Sequence, residues 1–234
     1  MRRKPSWTRS WARAIASVAA ILAAGGKGER ARDPRDDRPK QLRHLGGRPL
    51  WEWSFDVLRA TCDEVVVVAD GELAVSLASR GIKVAPPGTT RQGSVANGLE
   101  LIETEQVVVH DAARPFVDID TVISALHALD EADGAFAAIP VRETLAYIKD
   151  GLMTGVVPRQ SILSVQTPQS FWTRALKDSH TRALADGISE ATDDAQLVAN
   201  YGYKVVPIQG DARNLKLTYA PDFDLAEALV GGAG

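Results

Sequence analysis

The sequence of 234 residues contains a single cysteine, Cys62, and a nearly balanced set of charges. One cysteine excludes both a disulfide framework within the chain and a cysteine-rich zinc site, and it suits a reducing compartment. Lysine and arginine total 27 while aspartate and glutamate total 30, so the formal net charge is only −3. A protein that binds nucleic acid through a broad basic field is therefore not expected, and we predict a cytoplasmic location.

Long hydrophobic runs are also absent, since no stretch approaches the roughly 20 apolar residues that span a bilayer. The best candidate, residues 14–24, follows a segment with several basic residues and no acid, which is the charge pattern of a secretory signal. We favour a buried strand, because the run leads directly into a glycine-rich loop and cleavage would remove the strand. Residues 1–15 are then a basic leader that we expect to be disordered, with a transit function left open, and no membrane association is expected.

What the sequence does contain is the composition of an ordinary globular protein, with 45% apolar and 24% charged residues. Short apolar runs rich in β-branched residues alternate with segments whose apolar residues recur at helical spacing. This alternation predicts an α/β fold in three layers with a mostly parallel sheet, formed as a single domain over residues 16–234. Besides the run at residues 17–24, the expected strands are 64–69, 106–110, 134–140 and 203–208, and the expected helices are 50–60, 93–102, 119–131, 171–186 and 193–201.

One segment, about residues 141–165, interrupts this alternation. It holds two short β-like pieces, at residues 145–148 and 155–157, on either side of the pair Asp150-Gly151. An Asp-Gly turn between such pieces predicts a β-hairpin. Inserted into an α/β domain, the hairpin would project as an arm, and we expect the arm to serve in dimerisation.

The loop after the first predicted strand, Gly25-Gly26-Lys27-Gly28-Glu29-Arg30, combines glycines with basic side chains. Glycines let backbone amides converge on an anion, and the cations add charge-assisted hydrogen bonds. The loop is not a Walker A motif, because no Gly-Lys-Ser/Thr follows, although it fits a loose form of the dinucleotide fingerprint. The charged residues 32–38 and then Lys40 follow it, as suits a mobile lid over a polyphosphate. A structural turn followed by a solvated surface loop is the alternative.

Two further loops carry candidate ligands at the carboxyl ends of strands, where α/β sheets bind ligands. Asp111 follows a buried valine strand beside Arg114, and an acid in that position next to phosphates suits Mg²⁺. The alternative is an aspartate that caps a helix or a turn, and neighbouring His110 is expected to pack or to form hydrogen bonds. Residues 88–95 open a helix whose amides could receive a base edge or a phosphate. The alternative for Ser94 is a simple helix cap.

Eight short motifs follow one another along the chain, at residues 23–30, 39–41, 91–95, 109–115, 140–144, 167–169, 192–194 and 214–218. Each alone is weak, but the ordered set resembles the 2-C-methyl-D-erythritol 4-phosphate cytidylyltransferase family over nearly the whole chain. The resemblance implies a Rossmann-like nucleotidyltransferase sheet with an inserted β-arm. It also implies transfer of a cytidylyl group from CTP to a sugar-alcohol phosphate, with release of pyrophosphate.

The resemblance further implies roles for individual residues. Mg²⁺ would be the cofactor with Asp111 as its ligand, and a homodimer would bring Thr144 and Arg159 into the site of the partner subunit. The residues matched to catalysis are Arg30, Lys40, Arg159 and Lys216. Those matched to nucleotide binding are Ala23, Ala24, Gly25, Gly26, Gly28, Gly88, Arg91, Ser94, Asp111 and Ala112, and those matched to the methylerythritol phosphate are Arg114, Thr144, Arg159 and Lys216.

Three other functions remain open from the sequence. Cytidylyl transfer to ribitol 5-phosphate is the nearest, and Arg159 favours methylerythritol phosphate over it. A nucleotidyltransferase that makes NDP-sugars is disfavoured by the pairing of residues 39–41 with residues 111–114. A non-catalytic dinucleotide-binding module would bind NAD-type ligands without Mg²⁺-dependent release of pyrophosphate.

Overall fold

The structure is a computed structural model, and it describes residues 16–26 and 38–232. The basic leader predicted at residues 1–15 lies outside these ranges. So do Gly28 and Arg30 of the glycine-rich loop, together with most of the charged stretch that follows them. Of the helices in the described ranges, none is both long and apolar enough to cross a membrane.

The described residues form strands and helices in the following order along the chain. The strands are β1 (Val18–Ala23), β2 (His44–Leu45), β3 (Arg48–Pro49), β4 (Glu64–Val68), β5 (Lys83–Ala85), β6 (Gln106–Asp111), β7 (Gly134–Pro140), β8 (Ala146–Lys149), β9 (Leu152–Val156), β10 (Leu163–Trp172) and β11 (Val205–Gln209). The helices are α1 (Leu50–Thr61), α2 (Gly71–Ser79), α3 (Arg91–Leu99), α4 (Ile119–His127), α5 (Thr173–Ala185), α6 (Asp194–Asn200) and α7 (Ala220–Gly231). Short 3-10 turns lie at Lys40–Leu42, Ala128–Asp130 and Arg159–Ser161.

Seven strands form one central sheet in the order β11-β7-β10-β6-β1-β4-β5. Neighbouring strands are parallel except at β10, which runs antiparallel to both β6 and β7. Parallel strands need crossover connections that pack on the sheet, which is why apolar strands alternate with helices along the chain. β1 and β6 are adjacent and pair as far as Ala23 with Asp111, so their carboxyl ends meet at one edge of the sheet.

Helices cover both faces of the sheet and complete the three layers. On one face α1, α2 and α4 pack through side chains such as Leu58 and Val122. On the other face α3, α5 and α6 pack through side chains such as Leu99 and Leu176. These side chains are buried, and strands enclosed on both faces read as continuous apolar runs in the sequence. The predicted α/β fold with a mostly parallel sheet is therefore confirmed.

The expected elements are present, but several ends differ and one long strand is unexpected. α5 begins at Thr173 rather than at residue 171, because Phe171 and Trp172 belong to β10 and pair with β6. α3 begins at Arg91 and ends at Leu99, and α4 tightens into a 3-10 turn after residue 127. The sequence does not predict β10, because polar residues and a proline occupy its middle, and this composition argues against a central strand.

β8 and β9 form the predicted hairpin, which is separate from the central sheet. Asp150 and Gly151 have φ values of 54° and 78°, as the tight turn of a two-residue hairpin requires. The apolar side chains of the hairpin are largely exposed, with Leu152 at 72% and Ile148 at 63%. The arm therefore presents apolar surface that the described part of the chain leaves open.

A second, smaller core joins the C-terminal helix to the segment that carries Lys40. The guanidinium carbon of Arg43 lies 3.6 Å from the ring centre of Phe223 on α7. Both carboxylate oxygens of Glu227 accept from the backbone N–H of Gly46, at 3.1 and 3.2 Å. α7 therefore holds the chain that follows Lys40. The buried members of this core are Leu45, Leu50, Leu217, Phe223 and Ala226.

The substitution Gly134→Ala tests how tightly the sheet is packed between β7 and β10. A β-carbon at Gly134 would lie 2.6 Å from Cδ1 of Phe171, whose ring is fully buried. We expect the variant to lose about 1–3 kcal/mol of unfolding free energy, which is the usual cost of overpacking a core. Chemical denaturation measures this loss.

Gly155→Ala is the matched control, because Gly155 also lies in a strand and its nearest neighbour atom would be 3.7 Å from an added β-carbon. We expect the control to change the unfolding free energy by less than about 0.5 kcal/mol. Equal stabilities of the two variants would contradict the close packing at Phe171.

Candidate active site

A cavity of about 420 Å³, lined mostly by residues of polar and charged types, opens at the carboxyl end of β6. This is the edge at which α/β sheets bind their ligands. Its walls come from the start of α3, the turn after β6, the middle of β10 and the segments that precede α6 and α7. The residues that line it are Arg91, Asp111, Arg114, Val165, Gln166, Thr167, Thr192, Asp193, Gln196 and Lys216.

Asp111, the last residue of β6, lies at the centre of the site and binds two cations. Its Oδ1 accepts from Nε of Arg91 at 3.3 Å, and its Oδ2 accepts from Nζ of Lys216 at 2.6 Å. Burial by itself would raise the pKa of this carboxyl, but Arg91 and Lys216 outweigh burial and hold the pKa well below its usual range. Asp111 is therefore ionised at physiological pH.

Arg91 is shared between two buried carboxylates that come from different elements. Besides its bond to Asp111, Nη1 of Arg91 donates to Oδ2 of Asp194 at 2.7 Å. Nε2 of His180 lies 3.5 Å from the other oxygen of Asp194. Burial acts to raise the pKa of Asp194, but the opposing effect of Arg91 and then of His180 is larger, and the pKa lies below its usual value. These contacts fix the guanidinium at the start of α3.

Two motifs of the sequence analysis, at residues 167–169 and 192–194, gain a role only from the structure. Gln169 is fully buried and donates from Nε2 to Oδ2 of Asp193 at 2.5 Å. Its Oε1 accepts from the backbone N–H of Ala195 at 3.0 Å. Gln169 therefore ties the start of α6 to the sheet and sets the position of the second acid of the motif. The signal in the sequence is the pair of adjacent acids, Asp193 and Asp194. One carboxylate suffices to cap a helix, so the other is available for a second contact.

Arg114 and Lys216 reach the cavity from two segments that are bonded to each other. Nη1 of Arg114 donates to the backbone carbonyl of Asn214 at 2.8 Å. The N–H of Leu217 donates to the carbonyl of Ala113 at 2.8 Å. The structure thus brings two residues that were matched to the sugar phosphate onto one wall of the cavity.

His110 is fully buried behind this wall and forms hydrogen bonds, as expected from the sequence. Its Nε2 lies 3.1 Å from the carbonyl oxygen of Arg114, and its Nδ1 lies 3.0 Å from Oγ1 of Thr167. Burial lowers the pKa of His110 to about 4. The imidazole is therefore neutral at physiological pH, and it does not line the cavity.

On the other side of Arg91 the backbone folds tightly around the start of α3. Thr90 caps the helix, since its Oγ1 accepts from the N–H of Gly93 at 3.0 Å, and the alternative that Ser94 is the cap is wrong. Oγ of Ser94 instead accepts from the N–H of Gly88 at 3.0 Å. A β-carbon at Gly88 would lie 2.5 Å from the backbone carbon of Gly93, so this close approach requires glycine.

The first part of the glycine-rich loop lies at the same edge of the sheet. The N–H of Ala112 donates to the carbonyl of Ala23 at 3.1 Å, which joins the ends of β6 and β1. Ala24 and Gly25 continue from β1, and a β-carbon at Gly25 would lie 2.5 Å from Cβ of Pro87. The start of the loop, at Gly25, therefore lies against the segment that leads to α3, and the described nucleotide-binding candidates lie along the same edge.

Lys40 lies beside the site, whereas Thr144 and Arg159 lie away from it. Nζ of Lys40 donates to the backbone carbonyl of Leu217 at 3.0 Å, one residue after the predicted substrate-binding lysine. Arg159 donates to the carbonyl of Arg142 at 2.6 Å. Both Thr144 and Arg159 are exposed and do not line the cavity of their own chain.

The carboxylates of the site fit a magnesium ion that is carried largely by phosphate oxygens. Within residues 16–26 and 38–232, no three His, Cys, Asp or Glu side chains are grouped so that they could hold a metal. Mg²⁺ often takes only one or two carboxylates and completes its coordination with substrate phosphates and water. Asp111 can supply such a carboxylate, because it faces the cavity and stays ionised.

The fold and the site together are typical of nucleotidyltransferases: a mostly parallel sheet, glycines after the first strand, and an acid at the end of β6 among cations that suit phosphates. A model of the 2-C-methyl-D-erythritol 4-phosphate cytidylyltransferase family, IspD, matches residues 18–232. The chain belongs to this family.

Individual relatives cover most of the chain. It is 43% identical over 232 residues to the bifunctional enzyme IspD/IspF of Sphingopyxis alaskensis, a match that covers 96% of this chain and 58% of that protein. It is 38% identical over 213 residues to the 2-C-methyl-D-erythritol 4-phosphate cytidylyltransferase of Thermus thermophilus, covering 91% of this chain and 97% of the relative. The crystal structure of a Thermus thermophilus enzyme of the same name superimposes with a TM-score of 0.78 at 37% identity, covering 90% of this chain and 98% of the other. The chain thus spans little more than half of the bifunctional relative.

The substitution Asp194→Asn tests the ion pair that fixes Arg91. We expect a loss of about 3 kcal/mol of unfolding free energy at pH 7, because the variant leaves a buried guanidinium with one carboxylate fewer. The pKa of Asp194 is lower in the folded state, so the unfolded state binds more protons in acid. The stabilisation by Asp194 is therefore complete above about pH 4 and is lost as the pH falls further.

Urea denaturation at pH 3, 5 and 7 measures both effects. The loss of stability between pH 5 and pH 3 should be smaller in Asp194→Asn than in the wild-type chain. Asp70→Asn is the control, since Asp70 is exposed and its side chain makes no capping bond to α2. A pH dependence of Asp194→Asn equal to that of the wild type would contradict the proposed ion pair.

Proposed function

We propose that the chain transfers a cytidylyl group from CTP to 2-C-methyl-D-erythritol 4-phosphate and releases pyrophosphate. The bridge at Asp111 carries the proposal, because this carboxylate binds both Arg91, matched to the nucleotide, and Lys216, matched to the sugar phosphate. One buried group thus places cations for both substrates in one cavity. We place the enzyme in the cytoplasm, without a nucleic-acid or membrane partner.

The reaction needs no side chain that removes a proton from the nucleophile. A phosphate monoester has a second pKa near 6, so it is largely dianionic at neutral pH and can attack directly. The neutral imidazole of His110, turned away from the cavity, agrees with this scheme. The obstacle is repulsion between the anionic nucleophile and the triphosphate. Catalysis therefore rests on positioning and on stabilisation of charge.

Each cation has a place in this scheme. Arg91 would hold the nucleotide, since two carboxylates fix its guanidinium before the substrate arrives. Arg114 and Lys216 would clamp the phosphate of the second substrate in line with the α-phosphorus. Lys40 and Arg30 would stabilise the charge that develops on the α-phosphoryl group and on the leaving pyrophosphate.

Mg²⁺ would be bound by Asp111 together with the oxygens of the triphosphate, and it would supply neutralisation of the phosphate charge. Lys216 and Arg91 differ in how far their side chains could move when phosphates and the metal bind. The Lys216 side chain is 40% exposed and has room to turn from Asp111 towards an incoming phosphate. Arg91 is 22% exposed and is held by a second carboxylate, so it stays in place.

We also propose that the arm completes the site of a second copy of the chain. Contiguous exposed apolar side chains mark protein interfaces, and the hairpin carries several that are more than half exposed. Thr144 and Arg159 lie next to this surface and outside the cavity of their own chain. In a homodimer, both residues could reach the cavity of the partner subunit. The exposed apolar residues of the arm are Tyr147, Ile148, Leu152, Met153 and Val156.

A pyrophosphate-release assay across the four nucleoside triphosphates tests the proposed reaction. With Mg²⁺, we expect turnover of CTP with methylerythritol phosphate, and little turnover with ATP, GTP or UTP or without the metal. Faster turnover with ribitol 5-phosphate would identify the nearest alternative function. Binding of NAD without pyrophosphate release from any pair would instead indicate a dinucleotide-binding module and overturn the proposal.

The same assay tests the role of Lys40 through the variant Lys40→Ala, which removes a cation beside the cavity. We expect kcat to fall by about 10²-fold or more at saturating CTP, the scale for loss of one preorganised donor. Lys83→Ala is the matched variant, since the Lys83 side chain is 55% exposed on β5 and pairs with Glu64. Near-wild-type kcat in Lys40→Ala would refute the role of Lys40 while leaving the reaction itself established.

The substitution Arg159→Ala tests the role of the arm. We expect the KM for methylerythritol phosphate to rise about tenfold or more, on the scale of a lost hydrogen bond to a charged group, while the KM for CTP changes by less than about twofold. Light scattering should show a dimer in solution.

Mixed dimers give the sharper result. Co-expressed Arg159→Ala and Lys40→Ala chains should recover activity, because one site of each mixed dimer takes an intact Lys40 from one chain and an intact Arg159 from the other. A monomer in solution, or mixed dimers as inactive as the parents, would show that the arm does not act on a partner's site.

A further inference from the structure

His110 is a fully buried imidazole that lies directly behind Asp111 and Arg114. The chain turns sharply here, since the N–H of Arg114 donates to the carbonyl of Asp111 at 2.9 Å. The buried ring does not line the cavity, so contact with a substrate does not account for it. A buried polar side chain is costly unless its hydrogen bonds are made, so the partners of His110 indicate what it does.

The hydrogen bonds of His110 fix its tautomer. Nε2 lies 3.1 Å from the carbonyl oxygen of Arg114, which can only accept, so Nε2 carries the proton and donates. Nδ1 lies 3.0 Å from Oγ1 of Thr167. That hydroxyl accepts from the N–H of Asp111 at 3.1 Å and donates its own proton to Nδ1. A neutral imidazole therefore satisfies all of these groups at once.

The carbonyl of Arg114 has a second buried donor. Oγ of Ser54, on α1, donates to the same oxygen at 3.0 Å, and Ser54 is fully buried and outside the cavity. The oxygen is thus held from the sheet by His110 and from the helix layer by Ser54. The side chain of Arg114 starts from this backbone. The two donors therefore help to fix the position of a guanidinium that lines the cavity.

We propose that His110 is a positioning residue that sets the spacing between the Asp111 carboxylate and the Arg114 guanidinium. It does so by donating to the Arg114 carbonyl and by accepting from the hydroxyl that holds the Asp111 backbone. Arg114 was matched to the sugar phosphate, so a change in this spacing mainly weakens the binding of that substrate. The inference rests on the proposed function and adds to it a residue that touches neither substrate.

Two substitutions at position 110 separate the two hydrogen bonds. His110→Gln places an amide nitrogen near the former Nε2, from which it can still donate to the Arg114 carbonyl. His110→Asn places an amide oxygen near the former Nδ1, where it can still accept from Thr167, but it leaves the carbonyl without this donor. Both variants remove the ring, so each controls for the loss of packing in the other.

Steady-state kinetics of the full chain with CTP and methylerythritol phosphate, with melting temperatures measured in parallel, gives the readout. We expect His110→Asn to raise the KM for methylerythritol phosphate about tenfold, the effect of one lost buried hydrogen bond, and to leave the KM for CTP within about twofold. His110→Gln should keep both KM values within about threefold of the wild type, although both variants melt at lower temperature.

Ser54→Ala keeps the inference testable if a variant at position 110 does not fold. It removes the second donor to the same carbonyl, and we expect a rise of about threefold in the KM for methylerythritol phosphate alone. An unchanged KM there would overturn the inference, as would equal kinetics of the Asn and Gln variants. If the wild-type chain shows no turnover, the proposed function is overturned together with this inference. If the wild-type chain turns over but the variants do not differ as expected, this inference alone is overturned.

Discussion

The site depends on one buried carboxylate, Asp111, and on the two cations that keep it charged. An ionised carboxylate inside a protein costs several kcal/mol unless cations and hydrogen bonds offset the loss of water. Arg91 and Lys216 supply that offset from opposite parts of the chain, since one opens α3 and the other precedes α7. The position of each of these segments therefore depends on the other through a single side chain at the end of β6.

The same arrangement prepares the cavity for phosphates. Side chains as long as arginine and lysine lose rotamer entropy when a ligand fixes them, and carboxylates that hold them in advance remove part of that cost. Arg91 is held by two acids and is mostly buried, whereas Lys216 is held by one acid and is more exposed. In the proposed reaction, the cavity would thus combine a fixed cation for the nucleotide with a more mobile one for the second substrate.

Short-range patterns predicted the fold and part of the site, because those features are local in the sequence. β-branched runs gave the parallel strands, an Asp-Gly pair gave the hairpin, and the position of Asp111 after a valine strand gave the central acid. Features that depend on distant residues escaped. Nothing in the local sequence pairs Arg91 with Asp194, which lie 103 positions apart. Even at the start of α3, two hydroxyls four residues apart leave the choice of cap undecided until Ser94 is seen to bond Gly88.

Charge balance supports the proposal that the cavity of one chain is only part of the site. Among the described residues that line the cavity and their ion-pair partners, the cations are Arg91, Arg114 and Lys216 and the carboxylates are Asp111, Asp193 and Asp194, so their charges cancel. A triphosphate and a phosphate monoester together bring several negative charges, and a neutral cavity cannot offset the cost of removing them from water. Additional positive charge has to come from outside this set. Lys40, the arginine of the glycine-rich loop, a divalent ion that travels with the nucleotide and Arg159 on the arm of a second copy are the sources that the sequence offers. The charge balance therefore agrees with the proposed site, in which loops, a metal ion and a partner subunit add positive charge to the cavity.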